Sequence, residues 1–333
     1  MTARVKAGSD TRTHLVTGGA GYIAASLVRE LAREPGEVRR FFRAAHGAPP
    51  VPPGRATVAD VHGDVTVRAD LERALDGADV VHHLAAQTSI YVAAADPVRD
   101  VETNVLPLLY ALEHARARGH APLVLLASTV TAYGLPSRLP VDESFPEDAR
   151  SIYDLDKIAA ERLLAHYAAN GVVRAATLRL ANVYGPGPQS SASDRGVLNA
   201  MVRRALAGER LDIYGTGEWL RDYVYVDDVA CAFVLAARDP DAVNGRSFIV
   251  ATGEGVTVAA AVRLVAELVE EYTGRRVEVG HVPAPAGLSP LETRQFVGQS
   301  AAFRAATGWS PSVSFREGLK NTIEHCVRLG ASA

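Results

Sequence analysis

Short apolar runs alternate with amphipathic stretches along the first half of the chain. The apolar runs are of strand length and end in small or polar residues, and the amphipathic stretches repeat their apolar residues every three or four positions. This alternation is typical of a parallel sheet covered by helices on both faces. It predicts an α/β fold with strands at 14–16, 37–43, 78–87 and 123–129 and helices at 25–32, 67–76, 97–118 and 152–170.

The pattern also predicts how the chain is divided. Residues 12–181 carry the regular alternation and are expected to form a doubly wound parallel sheet. Residues 182–330 are expected to form a second, smaller α/β lobe. The apolar run at 246–251 is an exception, because it has the pattern of a strand that returns to the first sheet. A ligand would lie in the cleft between the two parts.

The turn after the first strand is rich in glycine. Residues 17–24 read Thr-Gly-Gly-Ala-Gly-Tyr-Ile-Ala and stand between a strand and a helix. Gly18 allows a tight reversal, Gly21 leaves room for a pyrophosphate at the positive end of the helix, and Ala24 allows close packing on the sheet. The context predicts a Rossmann-type dinucleotide-binding domain at 12–181.

The end of the second strand leaves the type of dinucleotide open. Domains of this kind usually have an acidic residue there, which binds the ribose 2′-hydroxyl, whereas this chain has Phe42 and Arg43. The Arg43 guanidinium could bind a 2′-phosphate, which favours NADP, or stack on the adenine of NAD. The alternative is a solvated strand end.

Composition excludes several other classes of protein. Of the 333 residues, 48% are hydrophobic and 22% are charged, and the net charge is −3. These values are typical of a globular protein and favour neither nucleic acid nor an anionic membrane as a partner. No apolar run is long enough to span a bilayer, and the polar N-terminus lacks the apolar core of a signal peptide. We therefore expect a cytoplasmic protein that does not bind membranes.

The cysteines and the paired histidines do not indicate a metal site. Cys231 and Cys326 lie in helical patterns without other ligands at metal-binding spacing, and we interpret both as buried thiols in a reducing compartment. His82 and His83 are adjacent in a strand, so their side chains face opposite sides of the sheet. We expect packed histidines and no metal.

Residues 129, 153 and 157 form the candidate catalytic group. Tyr153 and Lys157 are four positions apart on a predicted helix and so share one face. A nearby ammonium favours the phenolate form of tyrosine, which makes the phenol a usable acid/base. Thr129, at the end of a buried strand, can bind the same oxygen of a substrate alcohol. The three would remove a hydroxyl proton while hydride leaves the adjoining carbon for a nicotinamide.

The combination of motifs resembles the extended short-chain dehydrogenase/reductases of the NAD-dependent epimerase/dehydratase family, which act on nucleotide sugars. The resemblance rests on residues 17–24, 83–87, 128–134, 153–157, 179–186 and 221–229. It implies the triad Thr129, Tyr153 and Lys157. It also implies NAD contacts from Gly18, Gly21, Tyr22, Ile23, Asp64, Val65, Leu84, Ala85, Ala86, Gln87, Asn104, Ser128, Tyr153 and Lys157, to which we add the candidate Arg43.

The same resemblance makes the second lobe a nucleotide-sugar site. Arginine suits a diphosphate because its planar guanidinium donates two hydrogen bonds at once, and Arg221 and Arg294 are the candidates for that contact. Tyr214 would lie beside the base. With Thr129, the residues expected to bind the substrate are Asn182, Arg195, Val197, Asn199, Tyr214, Arg221 and Arg294.

The two positions after Thr129 favour one reaction within the family. The resemblance places Asp-Glu there in dehydratases and a Glu two positions on in nucleotide-glucuronate decarboxylases, whereas this chain has Val130 and Thr131. Epimerases typically have small or hydroxyl residues at these positions. We therefore expect a nucleotide-sugar 4-epimerase that oxidises and reduces C4 with tightly bound NAD.

Three alternatives stay open. A nucleotide-4-ketosugar reductase would use the same triad with exchangeable NAD(P)H, and Arg43 favours it. A nucleotide-glucuronate decarboxylase would need another acid/base group. A non-enzymatic dinucleotide sensor would not need the triad. Family members commonly pair through a four-helix bundle, which implies a homodimer here, with helices 97–118 and 152–170 offering apolar residues at Leu106, Leu109, Leu112, Leu163, Leu164 and Tyr167.

Overall fold

The computed structural model describes residues 11–45, 47–188 and 196–330. The strands are β1 (Thr13–Thr17), β2 (Gly36–Phe42), β3 (Ala56–His62), β4 (Val80–His83), β5 (Leu123–Thr129), β6 (Arg174–Leu180), β7 (Asn182–Tyr184), β8 (Leu211–Tyr214), β9 (Leu220–Tyr225), β10 (Arg246–Val250), β11 (Gly255–Thr257) and β12 (Val279–Val282). The helices are α1 (Tyr22–Leu31), α2 (Arg68–Leu75), α3 (Ile90–Ala95), α4 (Pro97–Asn104), α5 (Leu106–Arg118), α6 (Ile152–Ala169), α7 (Val197–Leu206), α8 (Val226–Arg238), α9 (Pro240–Val243), α10 (Val258–Thr273), α11 (Ala301–Thr307) and α12 (Phe315–Gly330). Two 3₁₀ turns occupy Val130–Tyr133 and Pro290–Thr293.

A seven-stranded sheet within the described ranges organises the larger part of the molecule. Its order is β10-β6-β5-β4-β1-β2-β3, and every neighbouring pair is parallel. Helices cover both faces, which is why β5 is an unbroken apolar run up to Leu126 rather than an alternating one. The predicted Rossmann-type doubly wound sheet is confirmed. The carboxyl ends of β1, β4 and β5 lie side by side at its centre, where such sheets bind ligands.

Two apolar layers hold this sheet. On one face, α1 and α8 pack over residues such as Val16 and Leu125, with Phe233 fully buried between them. On the other face, α2, α5 and α6 pack over Leu15 and Val124. At roughly 25 cal/mol for each Å² of apolar surface removed from water, these layers are the main source of stability. They fix the strand ends that carry the candidate site.

The second lobe is built around smaller sheets. Strands β11, β9 and β7 form one sheet, and β12 and β8 form another. Helices α7, α10 and α12 pack on them around Val202, Val262 and Leu319. Strand β10 leaves this lobe and pairs with β6, so that Phe248 lies beside Leu178 in the large sheet.

The helix predicted at 97–118 is two helices. Helix α4 ends at Asn104 and α5 begins at Leu106, with Pro107 in the first turn of α5. Proline lacks an N–H and its ring clashes with the preceding turn, so a continuous helix is interrupted at this point. Asn104 therefore ends a helix instead of lying within one.

The prediction that both cysteines are buried is wrong. Cys231 is exposed and Cys326 is only half-buried, and both are free thiols. The N-cap of α8 is Tyr225, and no side chain bonds to this helix end. The Asp227 carboxylate, in the first turn of α8, pairs with Arg29 of α1 at 2.5 Å. Asp228 accepts hydrogen bonds from the N–H and hydroxyl of Ser312 at 3.0 and 2.6 Å.

In the described part of the chain, no helix combines the length and the apolar character that crossing a membrane requires.

Candidate active site

The glycine turn forms a cradle at the carboxyl end of β1. Gly18 has a φ of +68°, which favours glycine, and a Cβ there would lie 3.0 Å from the backbone of Ala85. The Gly21 N–H donates to the Gly18 carbonyl at 2.7 Å. Gly21 is the N-cap of α1 and no side chain bonds to this helix end, whose dipole favours an anion. The glycines have no side chains to fill the space beside the backbone, so a dinucleotide pyrophosphate fits there.

Arginines line the end of β2. Arg43 is exposed and lies near Asp64. Burial opposes the ionisation of Asp64, but hydrogen bonds from Thr66 and the charge of Arg43 outweigh it, and the pKa of Asp64 is lowered. The buried Arg40 pairs with Asp60 at 2.6 Å, and its Cβ would lie 2.7 Å from a Cβ built on Gly19. Two predicted cofactor residues are therefore brought together, beside an arginine that the sequence analysis missed.

Side chains of α4 form hydrogen bonds with the loop after β4. Asn104 accepts from the Gln87 N–H at 2.9 Å and donates to the Gln87 carbonyl at 2.9 Å. The Gln87 amide also donates to Asp100 at 2.5 Å. Asn104 therefore fixes the loop that contains the half-buried residues Leu84, Ala85 and Ala86.

Thr129, Tyr153 and Lys157 are buried on strand β5 and on helix α6, which packs against it. Lys157 is 3% exposed and donates from Nζ to the Ala127 carbonyl of β5 at 2.6 Å. Thr129, 8% exposed, is the last residue of the same strand. Tyr153 lies one turn before Lys157 in α6 and packs with Ile90 and Leu291. The residues predicted to be catalytic are all buried at one edge of the sheet.

Burial changes the protonation of Lys157. It lowers the pKa of Lys157 to about 8, although the carboxylates of Glu161 and Asp100 oppose the shift. Ser128 donates to Glu161, whose charge is shared with Arg179 at 2.6 Å. Lys157 is therefore an ammonium at neutral pH that gives up its proton more readily than an exposed lysine. Glu161 and Arg179 are functional neighbours that the sequence analysis did not identify.

The two histidines pack as predicted, on opposite faces of the sheet. His82 contacts His14 at 3.0 Å and Phe233, whereas His83 contacts Thr17 at 3.1 Å. Burial and the charge of Lys157 lower the pKa of His83 to about 3. A neutral imidazole at this depth does not exchange protons near pH 7, so His83 is a packing residue.

A carboxyl pair joins α4 to α6 beneath the site. Asp100 and Asp156 are 1% and 7% exposed. Burial and the neighbouring Asp100 raise the pKa of Asp156 to about 7, so the pair takes up a shared proton as the pH falls through that value. The sequence analysis missed the pair. The sequence shows only that Asp100 lies one helical turn before Asn104 and that Asp156 is next to Lys157, and neither fact shows that the two aspartates meet.

A chain of hydroxyl groups links the end of β5 to α6. Thr129 Oγ1 donates to Thr131 Oγ1 at 3.0 Å, and Thr131 donates to the carboxylate of Asp154, the residue after Tyr153. Asp154 is fully buried and forms a capping box with Ser151. This chain fixes how the Thr129 side chain is presented to the site.

Three of the predicted substrate residues are exposed on the second lobe. Asn182 is exposed on β7, Val197 is exposed at the start of α7, and Tyr214 is exposed at the end of β8. Arg195 lies outside the described residues. These positions leave polar and aromatic groups accessible to a ligand.

Asn199 and Arg221 have partners within the protein. Asn199 donates to the Tyr22 hydroxyl at 3.2 Å and to the Gly185 carbonyl at 2.8 Å, so a predicted substrate residue and a predicted cofactor residue touch. Arg221 is 8% exposed and donates to the carbonyls of Glu292, at 2.6 Å, and Arg294. Arg221 therefore fixes the segment that carries Arg294, and a diphosphate contact from either arginine stays a prediction.

The site combines a dinucleotide cradle with a buried phenol, ammonium and hydroxyl. The model of the NAD dependent epimerase/dehydratase family matches residues 14–251. This chain belongs to that family. The expected fold and family are thereby confirmed.

Family members with known names resemble the chain over nearly its whole length. UDP-glucose 4-epimerase of Mycolicibacterium smegmatis is 32% identical over 93% of this chain and 97% of that protein. The structure of Thermus thermophilus UDP-glucose 4-epimerase in complex with NAD has a TM-score of 0.80 and 33% identity, and covers 95% of this chain and 99% of that one. UDP-glucuronic acid decarboxylase 5 of Arabidopsis thaliana is 30% identical over 92% of this chain and 86% of that protein.

Proposed function

We propose that this family member is a nucleotide-sugar 4-epimerase that works by reversible oxidation at C4 with tightly bound NAD. The observation that carries the proposal is the buried group of Thr129, Tyr153 and Lys157 beside the glycine cradle, with no carboxylate at positions 130 and 131. The similarity to proteins named UDP-glucose 4-epimerase supports the same reaction.

The residues of this chain handle the proton of the reaction. The ammonium of Lys157 favours the phenolate of Tyr153, which accepts the proton of the C4 hydroxyl. Bound NAD would supply the hydride acceptor and donor for C4, on either face of the 4-keto sugar. Tyr153 then gives its proton back, so no proton or electron is gained or lost. The Ile90 and Leu291 side chains around Tyr153 exclude water from the phenol.

The decarboxylase is the second candidate because a relative with that name is similar at nearly full length. The nearest carboxylate to position 131 belongs to Asp154, which accepts hydrogen bonds from Thr131 and from the Arg150 and Ser151 N–H groups. A carboxylate so fully occupied is poorly placed to move protons on a sugar. This geometry favours epimerisation over elimination or loss of carbon dioxide.

Mass spectrometry of the released cofactor and of the products from a panel of nucleotide sugars tests the proposal. We expect NAD to be held through purification and the product to have the mass of the substrate. A product heavier by two hydrogens, formed with consumption of added NADPH, would instead establish the reductase, the alternative that Arg43 favours. Loss of carbon dioxide would establish the decarboxylase.

Replacing Tyr153 by Phe separates an enzyme from a dinucleotide sensor. We expect Tyr153→Phe to lower kcat by about 10²-fold or more, because the acid/base is removed, while NAD is still retained. The kcat and the amount of released NAD are the measurements. A variant with wild-type turnover would contradict the catalytic role.

The nucleotide sugar is proposed to bind in the second lobe, residues 182–330, with NAD held by residues 12–181. Asn182, Val197 and Tyr214 are accessible on the lobe, and Arg221 fixes the segment around Arg294. A guanidinium near the cleft suits a diphosphate. Arg195 and Asn199 complete the proposed substrate set.

We further propose a cytoplasmic homodimer. Helices α5 and α6 lie side by side, and Leu109 and Leu163 are only half-buried, whereas Leu112 and Leu164 belong to the core. Two such helix pairs can bury their half-exposed leucines in a four-helix bundle. Both cysteines of the chain are free thiols, which supports a reducing compartment.

A further inference from the structure

The chain of hydroxyl groups beside Tyr153 has a fixed direction. A carboxylate only accepts hydrogen bonds, so the Asp154 carboxylate must receive the Thr131 hydroxyl proton. Thr131 has one hydroxyl proton and therefore presents a lone pair to Thr129. Thr129 in turn must donate its proton to Thr131, at 3.0 Å.

Neighbouring backbone groups hold this direction in place. Asp154 also accepts from the N–H groups of Ser151 and Arg150, at 3.1 and 3.3 Å. The Thr131 N–H donates to Thr129 Oγ1 at 3.1 Å. The side chains of Thr129, Thr131 and Asp154 are 8%, 7% and 0% exposed, so little water competes for these bonds.

We infer that Thr131 and Asp154 are positioning residues that make Thr129 a hydrogen-bond acceptor toward the C4 oxygen of the substrate. The inference rests on the proposed epimerase reaction. The C4 hydroxyl has one proton, which Thr129 accepts when the alcohol binds and which turns to the Tyr153 phenolate as hydride leaves C4, forming the phenol. The resulting C4 ketone has no proton to donate, so Thr129 does not bind it, and of the two side chains only the Tyr153 phenol can donate to it. Fewer bonds therefore hold the ketone than the alcohol, as a sugar that turns over between two hydride transfers requires.

A double-mutant cycle on Thr129 and Thr131 tests the inference, with kcat and KM measured on UDP-glucose. Thr131→Val keeps the shape of the side chain and removes its hydroxyl group. We expect it to lower kcat by about tenfold, with KM within about twofold, because the direction of the Thr129 hydroxyl is lost. Thr131→Ser should restore most of the turnover. In the Thr129→Val background, Thr131→Val should change kcat by less than about twofold, since Thr131 acts only through Thr129.

Asp154→Asn tests the direction itself. An asparagine amide can donate to Thr131, which allows Thr131 to donate to Thr129 and Thr129 to donate to the ketone. We expect this variant to retain the 4-keto sugar, seen as accumulation of reduced nicotinamide absorbance after UDP-glucose is added. Thermal unfolding of each variant shows whether it is folded at the assay temperature.

Two results would overturn the inference in different ways. In the first, the wild-type protein is active and Thr131→Val lowers kcat by the same factor whether position 129 is Thr or Val. That result would show a merely structural role for Thr131 and would leave the epimerase proposal standing. Wild-type protein that epimerises none of the nucleotide sugars in the panel would overturn the epimerase proposal and the inference together.

Discussion

At the scale of single residues, we expect the buried ammonium of Lys157 to make the proposed activity depend on pH. Burial lowers the pKa of Lys157 to about 8, so the fraction of ammonium falls as the pH rises through that value. The charge that would stabilise the proposed Tyr153 phenolate is lost at the same time. We expect kcat to fall above about pH 8.

Lys157→Arg checks this assignment, because a guanidinium keeps its proton through the whole range. The variant should be less active, since the larger group fits the site poorly, but its alkaline decline in kcat should disappear or move to higher pH. An unchanged decline in the arginine variant would assign the titration to another group. Measurement of kcat from pH 6 to about pH 10 for both proteins decides between these outcomes.

Site residues at a recognisable spacing in the chain could be predicted from the sequence. Residue pairs that are distant in sequence and meet only in the folded protein could not. Tyr153 and Lys157 are one helical turn apart, and the structure buries both at one sheet edge. Asp100 and Asp156 lie on different helices, and nothing in either local sequence indicates that they meet. Arg221 was predicted to contact a diphosphate, but the backbone carbonyls that it binds in the structure belong to a segment distant in sequence.

At the scale of elements, the Asp100–Asp156 pair makes the packing of α4 on α6 sensitive to pH. The pKa of Asp156 is raised to about 7 in the folded protein, so the folded state binds a proton more tightly than the unfolded chain. Stability from this group is present at low pH and is lost as the pH rises from about 4 to 7. Above that range both carboxylates are charged and repel each other.

Asp156→Asn should remove the loss of stability that the wild-type protein shows as the pH rises. We expect the variant to gain stability relative to wild type on going from pH 5 to pH 8, by on the order of 2 kcal/mol, since one pKa unit corresponds to about 1.4 kcal/mol. Urea unfolding at the two pH values measures the difference. Asp241→Asn, at an exposed aspartate, is the control and should show no such gain. A variant whose stability relative to wild type is the same at both pH values would contradict the shared proton.

Helices and strands were predicted correctly where burial on both faces requires an unbroken apolar run. The prediction was wrong where a single residue interrupts a helical pattern of apolar residues. Strand β5 was predicted at its observed bounds because both of its faces are covered. The helix at 97–118 was predicted as continuous because its apolar spacing continues past Val105, although Pro107 requires a new helix start. Cys231 was placed in the core because α8 is apolar around much of its circumference, and only packing shows which side faces the solvent.

At the scale of the whole molecule, the proposed dimer gives a test that does not depend on catalysis. Leu109→Glu and Leu163→Glu place charges on half-buried positions of α5 and α6, and burying an unpaired charge between subunits is strongly unfavourable. We expect both variants to be monomeric by light scattering, with the circular dichroism of the wild type. Leu329→Glu, at an exposed leucine of α12, is the control and should remain dimeric. Wild-type protein that is already monomeric would contradict the proposal.

Strand β10 has a consequence for how the molecule could be divided. It is contributed by residues far along the chain, yet it occupies an outer place in the large sheet and aligns Phe248 with Leu178. A fragment that stops at residue 181 would keep the glycine turn and the triad but would expose the free backbone edge of β6. Such edges pair with other chains. The large sheet is therefore completed by a strand from the part of the chain that follows it, and a cut at residue 181 would separate two paired strands.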